Sequence, residues 1–221
     1  MEFRPVATIR TDFPEKFGIP RQAGLVPELR AEIVFEPEFR TADALRGLED
    51  FSHVWLIWFI SEWSGHEWVP TVRPPRLKGE RRGVFATRSP LRPNPIGLSS
   101  VKLEGIRMDP ALGPVLEVSG ADLMDGTPIL DIKPYVEADV HADGEYGFTR
   151  RNANYRLDVD LPAELAALLP EGKAEGLRGV LSEDPRPAFH DDPEREYGLS
   201  FAGKNVRFHV SDDVVRVTAV E

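Results

Sequence analysis

A chain of 221 residues, 41% of them hydrophobic, can bury one large core, or one core and a small appendage. The formal net charge of -10 disfavours nonspecific nucleic-acid binding over the surface as a whole, and the lack of cysteine excludes disulfides, thiolate metal sites and cysteine nucleophiles. Met1-Glu2-Phe3-Arg4-Pro5 is no basic-then-apolar leader, and the longest apolar run, Val54-Trp55-Leu56-Ile57-Trp58-Phe59-Ile60, is far short of the roughly 20 residues of a membrane span, so a soluble, cytoplasmic protein is expected.

In chain order, short apolar or alternating stretches bounded by Gly, Pro or Asp predict strands at residues 3–9, 31–35, 54–60, 83–87, 98–106, 115–119 and 129–132. Helix signals are few. Thr41 can cap a helix running to Leu48, Asp160 can cap one over residues 161–169 that Pro170 closes, and a third covers residues 174–181. Residues 205–210 and 214–220 around Asp212-Asp213 read as a hairpin. The expected architecture is mainly β with some α, a barrel or sandwich. A rise in Gly and charge after residue 138 divides it into a unit at 1–138 and a smaller one at 139–221.

Charge is uneven along the chain. Between residues 70 and 92, Arg73, Arg76, Lys78, Arg81, Arg82, Arg88 and Arg92 oppose the single acid Glu80, which reads as an anion-binding face or as a solvated loop paired with nearby acids. Prolines brace two arginine segments, Arg73-Pro74-Pro75-Arg76 and Arg88-Ser89-Pro90-Leu91-Arg92-Pro93-Asn94-Pro95. Stiff backbone presents the guanidinium forks, suited to carboxylate or phosphate, at little entropic cost. Two further polar stretches stand out. Pro20-Arg21-Gln22 sits on a Gly/Pro-shaped loop, and Asp125-Gly126-Thr127-Pro128 reads as a turn leading into Asp131 and Lys133, which share a strand face.

Several chemistries find no support. There is no phosphate-binding Walker loop, no G-x-G-x-x-G for a Rossmann domain and no G-x-S-x-G nucleophile elbow. The five histidines are scattered, and Glu62, His66 and Glu67 lack the H-E-x-x-H frame, so no metal site is expected, although a metal-assisted hydrolase on those three is one alternative reading. Another is a non-enzymatic adenine-nucleotide sensor.

These segments resemble the TsaA-like (TrmO) tRNA methyltransferase family. The likeness runs in family order through Pro20-Arg21-Gln22, Phe51-Ser52-His53, Arg73-Pro74-Pro75-Arg76, residues 85–98, residues 125–135 and Asp184-Pro185-Arg186-Pro187-Ala188. The resemblance implies a non-Rossmann, S-adenosylmethionine-binding β-barrel with a small C-terminal domain, acting as a homodimer. It implies methylation of N6 of threonylcarbamoyladenosine at position 37, in the tRNA anticodon loop. Cofactor contacts are then expected at Pro20, Arg21, Gln22, Ser61, Glu62, Arg88, Leu98, Asp125, Gly126, Thr127 and Pro128. Two positions depart from the family pattern. Ser61-Glu62 stands where a histidine and a polar residue are usual, and Phe189 where a tyrosine is common.

With that chemistry, a carboxylate is the expected base, Asp131 first and Asp125 second, with an Asp131–Lys133 ion pair as the competing structural role. Arg92, with Asn94 nearby, is expected to receive the substrate's carboxylate. Arg73, Arg76, Lys78, Arg81 and Arg82 are expected to meet phosphates, and Arg186 RNA or a partner subunit. Trp63 and Trp68 are candidates for base stacking or a dimer interface.

Overall fold

The computed structural model describes residues 2–63, 65–75, 77, 79–152, 155–187 and 192–221. Six strands form the first unit: β1 (Ala7–Arg10), β2 (Arg30–Phe35), β3 (His53–Phe59), β6 (Ile96–Asp109), β7 (Gly113–Ser119) and β8 (Pro128–Pro134). They close into a barrel in the order β1-β2-β7-β6-β3-β8, and the last seam is short, pairing Ala7 with Ile129 and Thr8 with Pro128. Period-2 alternation explains the strands. Ala7 and Ile9, Ile33 and Phe35, Val54 and Leu56, and Leu116 and Val118 point inward and are buried, with Val101 and Ile129, while Arg30, Lys102 and Lys133 face out.

A second sheet, β10 (Tyr197–Phe201), β11 (Lys204–Ser211), β12 (Val214–Val220) and the parallel edge β9 (Asp158–Asp160), packs with α1 (Ala163–Ala166) and α2 (Ala174–Ser182). Asp212 and Asp213, with φ of 52° and 59°, make the left-handed turn of its hairpin. Between the units, β4 (Thr71–Val72) and β5 (Arg82–Gly83) form a two-residue ribbon.

The segment between β1 and β2 belongs to both units. Phe13, Val26 and Leu29 are buried in the second core, with Phe17, Ile19 and Leu25 packed against it. Gly18, at φ +91°, lies so close to Leu199 that a Cβ there would come within 2.2 Å of its side chain. Asp12 accepts a 2.7 Å ion-paired bond from Lys173, and the Ala202 N–H donates to the Asp12 carbonyl. On its other side this strap is tied to the barrel, where Gly24 N–H donates to the Gly120 carbonyl and Gly120 N–H to the Leu29 carbonyl.

Several sequence expectations change. Residues 83–87 are not a strand. After β5 the chain makes a 3-10 turn, Val84–Ala86, because Arg92 Nη1 donates to the Val84 and Thr87 carbonyls and Thr87 Oγ1 donates to Val84 as well. Asp160 caps nothing, since it pairs with Arg216 in β9, and Pro162 precedes an α1 of four residues. Thr41 leads only a 3-10 turn, Ala42–Leu45, without a side-chain cap. The first strand starts at Ala7, after Pro5, and Phe3 is exposed.

Candidate active site at one end of the barrel

Strand direction decides which loops can cooperate. β1, β3 and β7 end, and β2, β6 and β8 begin, at the same end of the barrel. Connections 11–29, 60–95 and 120–127 therefore emerge together, and they carry Arg21-Gln22, the proline-braced arginines and Asp122.

Side-chain bonds lock these loops to one another. Gln22 Nε2 donates to the Arg21 carbonyl at 2.6 Å, and Arg88 Nη1 donates to Gln22 Oε1. Arg21 Nη2 reaches across to the Asp184 carbonyl at 3.1 Å. Arg92 braces its own loop through Nη1, and its guanidinium lies 5.7 Å from the Phe85 ring centre. Below them runs a relay in which Trp58 Nε1 donates to Ser99 Oγ at 3.1 Å and Ser99 Oγ donates to Asp122 Oδ1 at 2.6 Å. Trp58 can lie across β6 only because residue 97 is glycine.

The loops enclose a cavity of about 340 Å³ whose wall includes Arg21, Gln22, Arg88, Arg92, Leu98 and Asp122. It adjoins a cleft of about 990 Å³ that shares Arg21, Gln22, Thr87 and Arg88 and adds Arg73, Arg156, Phe85 and Phe148. The small chamber is the size of an ordinary ligand site. The cleft joins cations to aromatic rings.

Burial shapes the electrostatics. It draws the Arg21 pKa below the ordinary guanidinium value, against the pull of Asp184 and Glu183. Burial pushes the Asp122 carboxyl upward, opposed by the Ser99 hydroxyl, the N–H groups of Asp122 and Ala23, and Arg88. At Asp184, burial also acts upward, but Arg186 and the Tyr155 hydroxyl outweigh it and hold the carboxyl below its ordinary value of 3.8. Asp184, in the left-handed region at φ 53°, grips Arg186 Nε at 2.8 Å and Nη2 at 3.2 Å, and both side chains are 13% exposed.

That depressed pKa gives a signed expectation. The Asp184–Arg186 clasp contributes stability that is complete above pH 3.8 and is lost as pH falls through the lower folded value. Asp184→Ala should therefore cost roughly 2–3 kcal/mol at pH 7, because it strands a largely buried guanidinium, and the loss should shrink in acid. Denaturant melts at pH 7 and pH 3 check both statements.

The structure distributes the expected site residues unevenly. Pro20, Arg21, Gln22, Arg88, Arg92 and Leu98 meet at the small cavity. Ser61 and Glu62 occupy a 3-10 turn, and Glu62 faces a neighbouring hollow beside Glu15, Lys16 and Asp184. Asp125 accepts the Thr11 N–H at 2.9 Å, and with Gly126, Thr127 and Pro128 it ties the β7–β8 turn to β1 without lining the cavity. Asp131 lies on the barrel's outside, two strands from Leu98 across Ile57, about 10 Å away, with its carboxylate 2.8 Å from Lys133. Asn94 is exposed at the loop tip. Arg73 lines the cleft, Arg81 donates to Thr71, and Arg82 pairs with Glu80 and lies over Phe148. Arg186 is paired with Asp184. Arg76, Lys78, Ala188 and Phe189 lie outside the described residues.

Asp122, Trp58, Ser99, Phe85, Phe148 and Arg156 were not singled out from sequence. Asp122 carried one usable signal, a carboxylate set between the apolar residues Ala121 and Leu123.

The geometry defines a barrel protein with a guanidinium-lined chamber opening onto a cationic, aromatic cleft. Family comparison makes that specific. Residues 8–140 match the tRNA-methyltransferase O N-terminal domain and residues 155–221 the TrmO C-terminal domain. The chain belongs to the tRNA-methyltransferase O family. It is 39% identical to the Escherichia coli K12 tRNA (adenine(37)-N6)-methyltransferase, over 100% of this chain and 97% of that protein. It is 40% identical, over 98% and 96%, to a Pseudomonas aeruginosa protein whose name as an S-adenosylmethionine-dependent methyltransferase is itself provisional. The crystal structure of TrmO from Pseudomonas aeruginosa superposes with a TM-score of 0.80 at 37% identity, covering 100% of this chain and 98% of that one.

Proposed function

We propose that the chain transfers the methyl group of S-adenosylmethionine to N6 of adenine 37 in tRNA, on the threonylcarbamoyl form of that base. The observation that carries this reading is the shared wall: Arg21, Gln22, Thr87 and Arg88 line both the small chamber and the large cleft, so a donor in one and a purine in the other meet there. The chamber fits the donor's chemistry. Arg88 and Arg21 suit its carboxylate, and the half-exposed Leu98 offers an apolar face for its adenine.

When bound, S-adenosylmethionine supplies an electrophilic methyl group on a sulfonium. The protein's own part is to orient and to exclude water. Gln22 and Arg88 latch the first two loops together, and Arg92 stiffens the second. The cleft suits an unpaired anticodon loop, whose phosphates meet Arg73 and Arg156 and whose bases meet Phe85 and Phe148. We also read the two units as meeting near residue 138, and the protein as a cytoplasmic one.

Labelled S-adenosylmethionine, incubated with tRNA carrying or lacking the threonylcarbamoyl group, tests the reading. Label should enter only the modified tRNA. Donor binding without transfer would leave a nucleotide sensor instead. Phe85, 74% exposed beside Arg92, should act on RNA alone. Phe85→Ala is expected to weaken tRNA binding by roughly tenfold, from the loss of one stacked base, with donor affinity unchanged in calorimetry.

A further inference from the structure

We propose that Asp122 takes the proton from the substrate nitrogen during methyl transfer. The inference rests on the methyl-transfer reading above. The lone pair of a carbamoylated N6 is delocalised into the purine and the carbonyl, so the nitrogen becomes an adequate nucleophile only as its N–H bond gives way. In the balanced step the N6–CH3 bond forms. The S–CH3 bond breaks with its pair returning to sulfur, and the N6–H bond breaks with its pair left on nitrogen while the proton passes to the Asp122 carboxylate.

Placement favours this carboxylate over the two expected from sequence. Among the described residues lining the small chamber, Asp122 is the single acid. Asp125 holds the Thr11 N–H outside that chamber, and Asp131 is paired with Lys133 on the barrel surface. Asp122 is also aimed. Trp58 N–H occupies a lone pair of Ser99 Oγ, so the one hydroxyl proton of Ser99 is directed at Asp122 Oδ1, which fixes the carboxylate without protonating it. The charged groups facing it are Arg21 from the β1–β2 connection and Arg88 and Arg92 from the β3–β6 connection, while β3 and β6 contribute Trp58, Ile96, Gly97, Leu98 and Ser99, and Ile60 follows β3, all without charge. Its pKa is shifted upward by burial, against the pull of the Ser99 hydroxyl and Arg88, which makes it a stronger base than an exposed aspartate.

Asp122→Asn tests the assignment with three readouts. Turnover on modified tRNA should fall at least about 10²-fold, the usual lower range for loss of a general base, and what remains should rise tenfold per pH unit as hydroxide takes over. Calorimetric dissociation constants for S-adenosylmethionine and for its demethylated product should both stay within about threefold of wild type. The third readout is stability. A group whose folded pKa is raised contributes stability below its unfolded pKa and loses it as pH rises through the folded value, so at pH 7 the variant should melt no lower than wild type.

Turnover within about threefold of wild type overturns the proposal. Weakened binding of the donor but not of the demethylated product overturns it in favour of a counter-charge to the sulfonium, and a lowered melting temperature with both ligands lost overturns it in favour of a structural role. Should Asp122→Asn not fold, Ser99→Ala keeps the test, because a misaimed base lowers turnover with both ligand affinities retained, and unchanged turnover there overturns the proposal. A wild-type protein without any transfer would sink the methyl-transfer reading itself, an outcome distinct from all of these.

Discussion

Gly97→Ala is expected to cost more activity than any other single methyl group added at this site. A Cβ there would lie 2.1 Å from Trp58 Cε2 and 2.4 Å from Cζ2, inside the ring's contact surface. The indole cannot yield locally, because it is bonded to Ser99 and packed against the barrel core. It must leave, and the Trp58–Ser99–Asp122 relay goes with it. Overpacking of about 1–3 kcal/mol and the lost hydrogen bond of about 1 kcal/mol should lower stability by roughly 2–4 kcal/mol. Displacing the chamber wall by about an ångström should lower kcat/KM by about 10²-fold. Thermal melts and steady-state turnover measure the two. Pairing the substitution with Trp58→Phe should restore much of the stability and little of the activity; full recovery of activity would mean that the relay is dispensable.

Phe201→Ala should damage a site it does not touch. Phe201 is fully buried in the second core, with its ring centre 5.5 Å from that of Phe13. Removing it should cost about 3–5 kcal/mol, as for other buried aromatics cut to alanine. Phe13 anchors the strap that carries Arg21 and Gln22, so loosening it releases the Gln22–Arg88 latch. Donor affinity should therefore fall by roughly tenfold at a temperature where the protein is still folded, since a latch bond to a charged group is worth about 1.5–3 kcal/mol. Native-like donor binding in a folded Phe201→Ala protein would show that the strap holds its shape without the second core.

Much of the barrel was legible in the sequence because alternation is a local signal. Ile33 and Phe35, Val54 and Leu56, and the hairpin around Asp212-Asp213 announce themselves without knowledge of their partners. The rest depends on contacts that apolar alternation does not register. Residues 84–86 have strand-like side chains, yet their carbonyl partners come from Arg92 and Thr87. Phe13, Val26 and Leu29 are plainly apolar, but nothing local says which of two cores receives them. The site divides the same way. The arginine loops stand out by composition, whereas Asp122 reads as one polar residue in a turn until Ser99, 23 positions earlier, is brought beside it. Asp131 and Lys133 are two residues apart on one strand face, so their ion pair, the competing role for Asp131, was itself legible in the sequence.

The strap also sets an order of events on the ribosome. Residues 11–29 emerge early, but Lys173, Leu199, Phe201 and Ala202, which hold them, are made near the end. At ordinary rates of elongation the strap waits roughly 10–40 s for its partners, with its apolar side chains uncovered. A nascent chain stalled before β10 carries every strand of the barrel and every arginine of the chamber, yet the face of its first loop that packs on Leu199 and Phe201 is uncovered. Full donor affinity is therefore expected only once β10 has formed beneath the strap.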